Sequence, residues 1–256
     1  RALCLPITPW LEESMRPEKK NVETRAGTLR VHVWTPAVQV AALTVVTVHP
    51  WAPLGGGEHN TQGIAKAQAE AGVRSVSFEM SSSSMVWGVL SNHNREVHQI
   101  VDICRWSQDT WPENGVLLFG SSAGSPQAGS ALAQSEDVVG LACVGYTWGW
   151  LSSIAFGRHF GAFLHSSKPK LLITGDRDEF TPLATLEKMV GKAQAGTIES
   201  RVVSGVGHFE LEMPHYDSQI ARWVLEWMAK HGWLPAAGAG AAAARAGESE
   251  CADGPL

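Results

Sequence analysis

Seven short runs rich in Val, Leu and Ile recur along the chain, at residues 28–34, 43–49, 73–79, 116–119, 138–146, 170–174 and 199–204. Several hold unbroken apolar stretches, such as Val116-Leu117-Leu118-Phe119 and Leu171-Leu172-Ile173. A strand with one wet face alternates apolar and polar residues, whereas an unbroken run belongs to a strand covered on both faces. Helical patterns lie between the runs. In 96–107, Val97, Ile100, Val101 and Cys104 share one face, and in 216–231 Ile220, Trp223, Val224, Trp227 and Met228 do the same. Thr181-Pro182 reads as a cap followed by proline at the first helical position. The alternation predicts an α/β fold with a mostly parallel central sheet flanked by helices. Ligands of such sheets bind at the carboxyl ends of the strands.

The chain has 256 residues, which suits one large domain with a sizeable core. Residues 1–20 hold three prolines and the charge run Arg16-Pro17-Glu18-Lys19-Lys20, and they read as an irregular N-terminal segment. The domain is expected over 21–234. Residues 235–256 form an Ala/Gly-rich tail without apolar periodicity, expected to be disordered. A net charge of −5 argues against a nucleic-acid partner, which needs clustered Lys and Arg. No stretch of about 18 apolar residues predicts a membrane span.

Cys4, Cys104, Cys143 and Cys251 show no CxxC pair and no metal-type spacing. Cys104 and Cys143 fall in helix and strand patterns and read as buried thiols. With no Asn-x-Ser/Thr sequon and no secretory apolar region, the expectation is an intracellular protein, cytoplasmic or organellar, with a plastid included.

The motif that carries chemistry is Gly120-Ser121-Ser122-Ala123-Gly124. The apolar strand 116–119 runs into it and a helical pattern, 126–134, follows. A nucleophile elbow needs this strand–turn–helix setting, with small residues two before and two after a central serine held clear of the backbone. Ser122 is that central residue. The helix behind it offers backbone N–H groups to a developing oxyanion.

A serine nucleophile needs a base, and the base needs an orienting acid. In this setting the chain order is serine, acid, histidine, with each following a later strand. Strand 170–174 leads to Gly175-Asp176-Arg177-Asp178. Asp178 has the better offset for the acid, and Asp176 reads as a turn-shaping residue. Strand 199–204 leads to Gly205-Val206-Gly207-His208-Phe209, and His208 occupies the slot of the general base. His98, His165 and His215 read as structural.

The strand 43–49 ends in His49-Pro50-Trp51-Ala52-Pro53-Leu54-Gly55-Gly56-Gly57, with a helix after it. Together with the elbow, the Gly-x-x-Asp loop and the Gly-His-Phe loop, this resembles the α/β-hydrolase superfamily over about residues 28–231. The similarity is to small, lid-poor members of the dienelactone-hydrolase-like and serine-aminopeptidase-like groups, plant and algal members with a Gly-Ser-Ser-Ala-Gly elbow above all. The resemblance implies an oxyanion hole made by the N–H groups of Trp51 and Ala123. His49 would then shape its loop rather than take a proton. One departure stands out. Where relatives carry Arg-Gly-x-Gly-x-Ser, this chain reads Met80-Ser81-Ser82-Ser83-Ser84-Met85-Val86-Trp87-Gly88.

Only residues 147–169 separate two successive strands at the place where cap domains enter, so a minimal cap is expected. That segment is aromatic, with Trp148, Trp150, Phe156, Phe160 and Phe163. Trp148 and Trp150, with Trp87 from the opposite rim, are candidate substrate-pocket residues. Arg158 and His159 read as a solvated surface.

These features predict a serine hydrolase for a small-molecule ester, thioester or small amide with an apolar acyl or aromatic group, using no metal and no organic cofactor. Two alternatives use the same fold: a binding or scaffolding protein with little turnover, and an acyltransferase working through the same residues.

Overall fold

The computed structural model describes residues 16–50, 56–81, 94–194 and 197–234. In chain order the strands are β1 (Glu18–Thr24), β2 (Gly27–Trp34), β3 (Leu43–Val48), β4 (Arg74–Phe78), β5 (Gly115–Ser121), β6 (Val138–Val144), β7 (Lys170–Gly175) and β8 (Ile198–Val203). The α-helices are α1 (His59–Glu70), α2 (Asn94–Thr110), α3 (Gly124–Gln134), α4 (Trp150–His165), α5 (Leu183–Val190), α6 (His208–Leu211) and α7 (Asp217–Lys230). All eight strands join one sheet in the order β1-β2-β4-β3-β5-β6-β7-β8. β1 and β2 are antiparallel, as are β2 and β4, and the six strands from β4 to β8 run parallel.

The unbroken apolar runs follow from helices on both faces. Along β5, Val116 and Leu118 turn to one core with Ile100, Cys104, Leu132 and Phe163 from α2, α3 and α4. Leu117 and Phe119 turn to the other, with Ile64 of α1 and Ile220, Val224 and Met228 of α7. Each such side chain contributes roughly 1.5–3 kcal/mol on burial. Cys104 and Cys143 are buried free thiols, and burial pushes both thiols up.

The expected irregular segment 1–20 gives way earlier than its boundary, because Glu18, Lys19 and Lys20 already belong to β1. β1 buries only Val22 and is otherwise half-buried or exposed, so it has no apolar period to read. Its charged side chains are what an edge strand uses to discourage pairing with other chains. Residues 1–15 and the tail 235–256 lie outside the described residues.

Thr181 does not cap α5, whose cap position is Pro182. Its hydroxyl instead donates to the Tyr146 carbonyl at 2.6 Å and accepts the Trp148 N–H at 2.7 Å. The chain after β6 is thereby pinned to the chain after β7. Between β6 and β7 the connection is α4 alone, which is the minimal cap. The parallel strands all finish at one edge of the sheet, so the turns after β3, β5, β6, β7 and β8 share that edge.

Candidate active site

β5 ends in a turn that only small residues can close. A side chain on Gly120 would lie 2.7 Å from Ser125 Cα, and one on Gly124 would lie 2.4 Å from the His49 carbonyl oxygen. Between them Ser122 has φ +48°, and among the described residues no other non-glycine has positive φ. Such a conformation costs on the order of 1–3 kcal/mol and persists only where surrounding contacts hold it. Here the Ser122 N–H donates to Val144 O at 2.9 Å, and Ser122 O accepts the Ser125 N–H at 2.9 Å. The side chain is thus lifted out of the strand at the start of α3. Ala123 caps that helix, and among the described residues its N–H has no backbone acceptor.

Ser122 Oγ lies 2.7 Å from His208 Nε2, although 86 residues separate them in sequence. His208 Nδ1 lies 2.8 Å from Asp178 Oδ2. Asp178 Oδ1 accepts the N–H groups of Phe180 and Thr181, both at 2.8 Å. Since the carboxylate accepts at Nδ1, that nitrogen carries the proton and Nε2 presents its lone pair to the hydroxyl. Asp178 and His208 are 3% and 1% exposed, and Ser122 is half-buried, so only the hydroxyl end of the line meets solvent. Asp176 does not take part. It accepts the Ser204 hydroxyl at 3.0 Å and the Gly205 N–H at 2.7 Å, and so shapes the turn after β8.

Several contacts of His208 could not be read from the motifs. Its N–H donates to Glu179 Oε2 at 3.1 Å. The Phe180 ring packs against the imidazole at 4.6 Å between centroids, and Phe209 meets it edge-on at 5.4 Å. Gly145 has φ +59°, and a side chain there would stand 2.9 Å from His208 Cε1. Its place at the end of an apolar run is the kind of isolated strand glycine that marks a close approach. Ser121 donates its hydroxyl to Glu212 Oε1 at 2.9 Å.

His49 directly follows β3 and lies beside the turn after β5. Its ring lies 2.6 Å from its neighbour's carbonyl, Pro50 O, through Nδ1, and Nε2 accepts the Met80 N–H at 2.9 Å. A carbonyl can only accept and an N–H can only donate, so the ring is the neutral Nδ1–H tautomer. Burial holds its pKa below the ordinary histidine range, outweighing the attraction of Glu79, whose carboxylate lies 3.5 Å from Nε2.

The expected pocket residues separate. Trp51 and Trp87 lie outside the described residues, as does most of the serine-rich loop. Trp148 is 4% exposed and is a core residue, not a rim one. Its ring lies tilted against Tyr146, 4.2 Å between centroids, and meets Phe163 edge-on at 5.6 Å. Phe156, Phe160 and Phe163 are buried in the same core, because their helical spacing turns them to one side of α4. Trp150 is 74% exposed at the start of α4. His159 is not at a solvated surface: it is buried, with Nδ1 2.7 Å from the Ser130 hydroxyl. Among the described residues no group of three or more His, Cys, Asp or Glu could hold a metal ion, and no helix is long and apolar enough to cross a membrane.

No protein-family model and no curated protein sequence matches the chain. Solved structures do. An α/β serine hydrolase homologue from Coxiella burnetii superimposes with a TM-score of 0.67 at 23% identity, over 81% of this chain and 97% of that one. An α/β serine hydrolase without a lid from Xanthomonas campestris gives 0.69 at 20% identity, over 91% and 99%. A dienelactone hydrolase from Anabaena variabilis gives 0.65 at 17% identity, over 86% and 100%. At these identities the likeness defines the fold: the chain has the α/β-hydrolase fold.

Proposed function

We propose that this chain is a serine hydrolase, with Ser122 as nucleophile, His208 as general base and acid, and Asp178 as the group that orients the imidazole. The observation that carries the reading is the unbroken line from Ser122 Oγ through both nitrogens of His208 to Asp178 Oδ2. A strained serine, a base in the correct tautomer and a buried acid with both oxygens engaged are together what acyl transfer to a hydroxyl requires.

Ser122 Oγ attacks the acyl carbon while its proton passes to His208 Nε2. The carbonyl oxygen becomes an oxyanion, which accepts the N–H groups of Ala123 and Trp51, both donors implied by the resemblance, the former with no backbone acceptor among the described residues. The tetrahedral intermediate collapses, His208 gives its proton to the leaving oxygen, sulfur or nitrogen, and an acyl-Ser122 remains. Water, deprotonated by the same nitrogen, then releases the acid and restores the serine. Asp178 stabilises the imidazolium at each transfer.

The lid-poor edge, with exposed Trp150 and Phe209 and half-buried Phe180, favours an apolar acyl or aromatic group on a small ester, thioester or amide. Hydrolysis of p-nitrophenyl acetate and butyrate by the full chain tests the reading. Expected is turnover that Ser122→Ala lowers by at least about a thousandfold with the fold intact. Equal turnover by the two proteins would overturn it.

A further inference from the structure

Ser121 and Glu212 form a contact that the proposed reaction does not use. Ser121 is the last residue of β5, directly before the nucleophile. Glu212 directly follows α6, whose first residue is His208. Their 2.9 Å hydrogen bond spans 91 residues of sequence and joins the element that carries the nucleophile to the one that carries the base. It runs beside the Ser122–His208 bond, so two adjacent serines are each tied to the same short helix. That helix has only four residues, and one turn has little stability of its own. Its position must come from contacts such as this one.

The Glu212 carboxyl is also displaced upward from its ordinary range by burial, against the opposing pull of His208 and of the Ser121 hydroxyl. The charged groups that bear on it are His208 from α6 and Asp178 from the turn after β7, the latter repelling it. Glu179, from the same turn as Asp178, holds the His208 N–H.

We propose that Glu212 is a positioning residue for His208, acting through its hydrogen bond to Ser121. This rests on the reading of the chain as a serine hydrolase. It assigns the Ser121-Ser122 pair two tasks: Ser122 attacks, and Ser121 docks the base.

Steady-state kinetics on p-nitrophenyl butyrate, with the full chain across pH 5–9, test the assignment. Glu212→Ala and Ser121→Ala are each expected to lower kcat by about tenfold with KM changed less than twofold, as a misplaced base would. Glu212→Gln keeps the acceptor oxygen and is expected to recover kcat to within about threefold. Wild-type kcat in Glu212→Ala, or no recovery of kcat in Glu212→Gln, would overturn the assignment. Should Glu212→Ala fail to fold, Glu212→Gln and Ser121→Ala decide alone. Ser122→Ala serves as the control: if it too keeps wild-type turnover, the hydrolase reading itself has failed, and not merely the role of Glu212.

Discussion

Two buried histidines, His208 and His49, stand at the same edge of the sheet with opposite constraints. Both have Nδ1 engaged by an oxygen acceptor, Asp178 for His208 and Pro50 O for His49. They differ at Nε2. His49 Nε2 accepts a backbone N–H that cannot leave, so its lone pair is permanently occupied. His208 Nε2 faces a hydroxyl, whose proton, in the proposed reaction, passes to the ring as its oxygen attacks. The orienting groups differ as well: a carboxylate accepts from Nδ1 of His208 and a neutral carbonyl from Nδ1 of His49, where burial outweighs the pull of that carbonyl and of Glu79 and favours the neutral ring. A histidine's partners, more than its burial, decide whether it can move a proton.

That contrast can be broken from either side. The largest effect is expected at His208. His208→Gln should lower kcat by at least about a thousandfold while the melting temperature changes little. Ester turnover and thermal melts on the same sample check it, and a loss of both together would make His208 structural like His49. Next is Gly145→Ala, which places a methyl against His208 Cε1 at a positive φ. It should lower kcat by about ten- to a hundredfold through displacement of the base. Unchanged kcat in the folded variant would show that the imidazole tolerates that movement.

His49 should show the reverse pattern. His49→Ala strands a buried N–H and a carbonyl, and is expected to lower stability by about 2–4 kcal/mol in urea unfolding, with kcat changed less than tenfold. The pH dependence sharpens this. The folded pKa of His49 lies below that of the unfolded chain, so the unfolded state binds the proton first as pH falls. Wild-type stability should therefore drop below about pH 6.5, and the variant should lose that part of the slope.

The smallest effect lies away from both rings. Burial raises the Asp217 carboxyl to about 7. A carboxyl raised on folding is more stable protonated, so its penalty grows as pH rises from about 4 through 7 and is complete above that. Asp217→Asn is expected to stabilise the protein by about 1 kcal/mol at pH 8 and by nothing measurable at pH 4, after allowance for partial exposure and for the helix N-terminus that favours its charge. Equal effects at both pH values would contradict the account.

Much of the fold was legible because covered strands and amphipathic helices write themselves as unbroken runs and 3.6-residue periods. β5, β7 and α7 are of this kind. β1 was not legible, since an edge strand with one buried residue carries no period. The convergence of Ser122, Asp178 and His208 was legible because each sits at a set offset from a strand end, with glycines around two of them. Thr181 was misread because Thr-Pro looks like a helix start, whereas its hydroxyl serves a tertiary contact. Trp148 resembled a rim aromatic for a similar reason: aromatic content alone does not say which side of α4 becomes core. Glu212 had no motif, because its significance lies in a contact across 91 residues.

In the proposed reaction the Ser122 hydroxyl is the nucleophile. The most direct test is treatment of the folded full chain with a fluorophosphonate, followed by peptide mass spectrometry. The account predicts a single phosphonyl adduct on Ser122, lost on prior heat unfolding and absent from His208→Gln. Labelling of Ser121 or Ser125 instead, or no labelling of the folded protein at all, would contradict it.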